Sequence, residues 1–139
     1  GTAPIRAATT ADTFKAALYL TTATINASTT AYTATGEVSS ANYSAGGVTV
    51  TNATAPNSAN TSSTAGTAYW TPSASIVYGS AGSPVTFSSF DCVLIYNSTQ
   101  SNKAVSAHTF TAQTVTSGTF TLTMPSNTTS TALLRLATT

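Results

Sequence analysis

Thr and Ser together fill 51 of the 139 positions, while only seven side chains carry a charge. Thr is β-branched, which stiffens its side chain and favours the pleated strand. Charged residues make up 5% of the chain, against about 25% in ordinary soluble domains. The acids are Asp12, Glu37 and Asp91; the bases are Arg6, Lys15, Lys103 and Arg135. His, Cys, Met and Trp occur once each. Such a chain has few general acids, metal ligands or phosphate-binding groups. It points away from an enzyme and toward a packing or surface-covering part.

The length fits one domain. Hydrophobic residues reach 41%, but Ala supplies much of that, so the expected core is thin. Six Tyr, five Phe and one Trp are spread along the chain. Disordered chains combine few aromatics with high charge, so an ordered β domain is expected instead. A net charge of +1 with scattered bases cannot neutralise a polyphosphate, which needs clustered Lys and Arg. Nucleic acid is therefore not an expected partner. Weak net charge also gives little colloidal repulsion, which favours self-association. One Cys allows no internal disulfide. No apolar run approaches the roughly 20 residues of a membrane span, so no membrane partner is expected. The first residues lack the basic-then-apolar order of a secretion signal.

Residues 1–13 (GTAPIRAATTADT) show no strand alternation and read as an N-terminal arm. Such an arm is either a loose terminus or a segment that lies on a neighbour. Residues 14–139 read as a single β-sandwich domain. Residues 14–20 alternate as a half-buried strand, and further strand signals fall at 30–35 and 47–51, the latter after the Gly46-Gly47 turn. Residues 52–66 form a loop too long for a tight hairpin. Short strands follow at 68–71 and 76–78. The clearest element is a hairpin of residues 90–97 and 103–110 around a five-residue loop. A second hairpin is expected from 113–116 and 119–124, with Phe120, Leu122 and Met124 inward and Thr119, Thr121 and Thr123 outward. Residues 133–136 close the chain as a last strand. Eight or nine short strands suit an all-β, two-sheet β-sandwich of jelly-roll type.

Candidate sites reduce to a few residues. If the hairpin loop centres on Gln100, Cys92 lies directly opposite His108, with Cβ atoms about 5 Å apart. A thiol beside an imidazole is the geometry of an activated nucleophile. Asp91 faces the other side of its strand and cannot orient the imidazole, so Cys92 reads as a structural residue. Only five side chains can ligate a metal, too few and too scattered for zinc. Nothing brings two of Asp12, Glu37 and Asp91 together for glycoside hydrolysis. Tyr69 and Trp70 face opposite ways on one strand, so at most one offers a ring to a sugar; Trp70 reads as core. Six Asn-X-Ser/Thr triplets, from Asn26 to Asn127, follow from the Ser and Thr content. No catalytic, cofactor-binding or metal residue is expected, and no cofactor.

Three stretches carry a resemblance: TAYWTPSASIVY, FDCVLIYNSTQSNKAVSAHTF and GTFTLTMPSNTTSTALLRLA. They are similar to capsid cement (decoration) proteins of short-tailed bacteriophages, from about Phe14 to the C-terminus. The resemblance implies a jelly-roll β-sandwich on the outer surface of the virion. It also implies a homo-oligomer, a dimer or trimer, with the major capsid protein as partner. That family offers no catalytic residues to carry over. Residues 52–66 and Cys92 depart from its pattern. A receptor- or carbohydrate-binding module of a phage fibre or bacterial surface protein is the alternative expectation.

Overall fold

The computed structural model describes residues 12–51, the backbone of 57–58, and residues 66–137. All regular structure in these residues is β; none of it is helical. Three antiparallel sheets form, of four, three and two strands. The four-stranded sheet runs in the order β2 (Val48–Thr49), β1 (Phe14–Leu20), β6 (Val85–Asn97), β7 (Lys103–Gly118). β1 pairs with β6 from Phe14↔Asn97 to Tyr19↔Cys92, with a bulge before Leu20.

The centre of this sheet is covered on both faces. Ala16, Ala17, Leu18 and Tyr19 are all fully buried, as are their neighbours Cys92–Tyr96 to within 4% exposure. A strand buried on both sides loses its alternation and reads as a continuous apolar run, which is why CVLIY stands unbroken in the sequence. The expected half-buried alternation of residues 14–20 is therefore corrected: both its faces are interior.

One face packs against the two smaller sheets. β5 (Ile76–Tyr78) pairs with β8 (Phe120–Leu122). β4 (Thr67–Trp70) pairs with β3 (Asn57–Ser58) and β9 (Leu134–Ala137). Their inward residues Trp70, Ile76 and Tyr78 join Ala16, Leu18, Phe87, Phe90, Val93 and Ile95 in the main core. Phe120, Leu122 and Met124 pack on that core and Thr119, Thr121 and Thr123 are exposed, as expected. The opposite face is covered by chain without strands. Ala23, Ile25 and Tyr32 lie over Ala17, Tyr19, Cys92, Leu94 and Tyr96.

Three expectations fail, each for a physical reason. The hairpin of residues 113–124 does not form. β7 stays on β6 as far as Val85↔Gly118. The chain then turns at Ser117, whose φ is 47 and whose amide donates to Thr86 Oγ1 at 3.0 Å. Phe120 crosses to Tyr78 in the second layer instead. Residues 30–35 make no strand; a single bridge ties Ala31 to Lys103. Finally, the strands opposite the four-stranded sheet are divided between two small sheets rather than joined in one. The packing is sandwich-like all the same. Of the expected arm, residues 1–11 lie outside the described residues, as does most of the loop at 52–66.

Candidate functional site

Cys92 and His108 do not meet. Asn97↔Lys103 and Tyr96↔Ala104 follow the expected register, but Ile95 pairs with Ser106. One extra residue, Val105, bulges out of β7 there. A one-residue slip exchanges the faces of every later side chain. Cys92 thus pairs with Thr109, and His108 with Val93. The thiol belongs to the cluster under Tyr19 and Tyr96, while His108 Nε2 sits 3.0 Å from Ser106 Oγ. Burial, then the nearby Asp91 charge, pushes the thiol up to about 11, so it is protonated and a poor nucleophile at neutral pH. Burial pushes His108 down and favours its neutral form.

Cys92→Ala is accordingly expected to cost about 1–2 kcal/mol in urea unfolding, the scale of a small buried deletion. The native thiol should resist alkylation until the chain unfolds. Rapid alkylation of the folded protein would contradict this placement.

The carboxylates also go separate ways. Asp12 accepts from Asn97 Nδ2 at 2.8 Å and from Gln100 Nε2 at 3.3 Å. Next to it, the Thr13 carbonyl takes the Ser98 amide at 2.9 Å and the Thr13 amide donates to Thr99 Oγ1 at 2.9 Å. The base of the expected arm is thereby fixed on the β6–β7 turn. Among the described residues, no three His, Cys, Asp or Glu side chains gather as a metal site.

Sequence reasoning missed the densest polar cluster among the described residues, which centres on Glu37. Its carboxylate accepts from Tyr32 Oη at 2.6 Å, Tyr43 Oη at 2.5 Å and the Gly46 amide at 2.8 Å. Around it, Tyr19 Oη donates to the Thr33 carbonyl at 2.7 Å and Tyr96 Oη to the Gly46 carbonyl at 2.7 Å. Tyr32 stacks on Tyr96 with centroids 4.9 Å apart. Burial raises Tyr19 to about 12. Burial first, and the Glu37 carboxylate second, also raise Tyr32, Tyr43, Tyr78 and Tyr96. The phenols therefore remain neutral donors, and the cluster works as a clasp that pins residues 32–47 over β1. The one sequence signal was Glu37 itself, the sole acid between Asp12 and Asp91, in a stretch rich in Tyr.

Hydrogen bonds to a charged acceptor are worth about 1.5–3 kcal/mol each. Glu37→Gln keeps the shape but loses the charge and, even in its better orientation, aims its NH2 at the Tyr32 hydroxyl that donated to Oε2. It should cost about 2–3 kcal/mol in urea unfolding. An unchanged midpoint would show that the clasp carries no stability.

The aromatic residues of β4 and β5 are mostly interior. Trp70 is 8% exposed and packs 6.1 Å from Phe14. Tyr78 is fully buried and donates to the Ala16 carbonyl at 3.1 Å. Tyr69 alone is half-exposed, beside Arg135 in a hollow of about 260 Å³. Arg135 is committed elsewhere, donating to the Ser130 carbonyl at 2.8 Å.

The remaining surface is hydroxyl and methyl. Along β7 and β8, Thr109, Thr111, Thr114, Thr116, Thr119 and Thr121 are all exposed. Beside β7 runs a groove of about 760 Å³. Ile25 and Ala27 form one wall; Leu94, Ala104, Val105 and Ala107 form its floor and other side. Comparison with protein-family models, curated protein sequences and solved structures finds no match to this chain.

Proposed function

We propose that this chain is a non-enzymatic virion part, a cement (decoration) protein that binds the outside of a bacteriophage capsid and stabilises it. The observation that carries this reading is the uncharged Thr surface of β7 and β8, set on a core closed on both sides of its main sheet. Such a face docks without removing many ions from water, whose burial costs several kcal/mol each. Its hydroxyls both donate and accept, so they satisfy a partner's backbone in either sense. The three stretches similar to cement proteins fall on β4–β5, β6–β7 and β8–β9. The same reading makes the fold a jelly-roll β-sandwich, residues 1–13 an arm that lies on a neighbour, and the working unit a homo-oligomer on the major capsid protein.

Attachment should then be insensitive to salt. Screening is nearly complete at about 0.5 M, yet a protein with seven charged side chains has little long-range attraction to lose. Capsids decorated at low salt should keep most of the bound protein when washed at about 0.5 M salt. Release by salt, or no binding to capsids at all, would defeat the proposal.

Tyr69 and its hollow favour a second reading, a carbohydrate-binding module. A glycan that binds the native protein and not Tyr69→Ala would support it over the first.

A further inference from the structure

The groove beside β7 is built like the seat of a β-strand. β7 is the outermost strand of its sheet. Among the described residues, its outer edge is engaged only at its start, where Ala31 bridges Lys103 and the Ala104 amide donates to the Thr30 carbonyl at 2.9 Å. The chain at 25–30 then leaves the edge, opening the groove along Val105, Ser106, Ala107 and Thr109. Val105, the bulged residue, is 39% exposed there, one of three large apolar side chains so exposed among the described residues. The edge of a sheet presents main-chain donors and acceptors that another extended segment can take up.

We propose that this groove receives residues 1–11 of a second copy of the chain. This rests on the arm and the homo-oligomer of the functional reading, and it names the site where the arm lies. Three observations select the occupant. The first is composition. The segment is GTAPIRAATTA, with Ile5 as its one large apolar side chain, flanked by Pro4 and Arg6 and otherwise Gly, Ala and Thr. Small side chains suit a shallow groove, and Ile5 suits the apolar floor of Leu94, Val105 and Ala107.

The second is length. The open wall from Val105 to Thr109 is about 13 Å long at the rise of a strand. Eleven extended residues reach about 36 Å, enough to fill the wall and bridge to the neighbour.

The third is direction. Asp12 and Thr13 are held on the β6–β7 turn by Asn97, Ser98, Thr99 and Gln100. The groove end nearest that turn is the end closed by Thr30 and Ala31. A segment from the same chain would have to pass over this closure, whereas one from another copy enters at the open end near Thr109. Each copy then gives one arm and receives one, an exchange that two copies complete reciprocally or three complete in a ring.

The test uses disulfide trapping between two variants that each add one Cys to the native Cys92, Ile5→Cys and Val105→Cys. The native Cys92 is 4% exposed and stays out of the exchange. Mixed under mild oxidation, the two variants should give a disulfide-linked heterodimer as the main product. Each variant alone should give much less. The double variant in one chain, diluted until copies separate, should give little intrachain bond. Sedimentation should show an oligomer for the native chain and a monomer for a chain lacking residues 1–11. Ala107→Asp, which places an unpaired charge in the groove, should also be monomeric with an unchanged circular dichroism spectrum.

Absence of the heterodimer, a dominant intrachain disulfide, or an oligomer that survives loss of residues 1–11 would each overturn the proposal. Capsid binding is scored separately. Trapped oligomers that fail to bind capsids would sink the cement reading and leave the arm's seat standing. Capsid binding by a protein that traps no heterodimer would do the reverse.

Discussion

Replacing Gly47 with alanine is expected to lower the stability by about 2–6 kcal/mol, combining left-handed backbone strain of about 1–3 kcal/mol with an overpacking cost of about 1–3 kcal/mol. Gly47 ends the turn that leads into β2 and holds φ at +77°, where only glycine rests without strain. A Cβ built there would lie 1.9 Å from the Ala16 carbonyl oxygen and 2.7 Å from the Ala17 Cα. Both obstacles are backbone of the central strand, so neither can turn aside as a side chain would. Ala16 and Ala17 are themselves fully buried, and shifting them disturbs both cores at once. Domains of this size are stable by about 5–15 kcal/mol, so the variant should lose a large fraction of its stability at 25 °C. Gly82→Ala is the control. A Cβ at Gly82 meets nothing within 4 Å, and its cost should stay within about 0.5 kcal/mol. Urea unfolding followed by circular dichroism compares the two. Equal midpoints for Gly47→Ala and the native chain would show that the turn sits further from β1 than the structure places it.

The main sheet was legible because its strands are long apolar runs with clear breaks. Residues 14–20, 90–97 and 103–110 all fall within strands of the four-stranded sheet, and the loop at 98–102 forms between the last two. Register was less legible. Whether Val105 is paired or bulged depends on how the chain at 30–31 bridges β7, a contact more than 70 residues away in sequence. That one residue decides which face His108 occupies. The partner of β8 was hidden for a similar reason. Residues 113–124 carry a proper turn signal at Ser117-Gly118, but local signals cannot report that Phe120 is needed against Tyr78 and Phe90.

The candidate sites divide the same way. Cys92 and Trp70 are buried, as their residue types suggested. The Glu37 clasp has no sequence period at all. Its phenols come from β1, β6 and the loop between β1 and β2, and only the fold collects them. Nothing in the order of residues distinguishes Glu37 from a solvated acid until three donors converge on it. The clasp also explains how a long stretch without strands can cover the centre of a sheet face. Its backbone is held by phenol hydroxyls where strand partners would otherwise be required.

Phe90→Ala is the second large effect, expected at about 3–5 kcal/mol. Phe90 is fully buried and lies between three other rings: Phe120 at 4.8 Å, Phe87 at 5.6 Å and Phe110 at 5.9 Å. Those partners belong to β8, β6 and β7, so a single side chain ties the main sheet to the small β5–β8 sheet. Strict alternation would put Phe90 on the Cys92 face. The register shift between the two turns it into the main core instead. Truncation removes both the burial of a large ring and its edge-on contacts, which are worth about 0.5–1.5 kcal/mol per aromatic pair beyond area. The gap cannot close easily, because its walls are strands on two sides. Phe90→Leu keeps most of the volume and should cost under about 1.5 kcal/mol. Val77→Thr, at a side chain 49% exposed on β5, should change little and serves as the baseline. Thermal and urea unfolding of the three variants gives the order Phe90→Ala far below Phe90→Leu, with Val77→Thr near the native chain. If Phe90→Ala instead unfolds beside Val77→Thr, the two layers are joined through other residues, and the exposed Thr rows of β7 and β8 do not owe their placement to this ring.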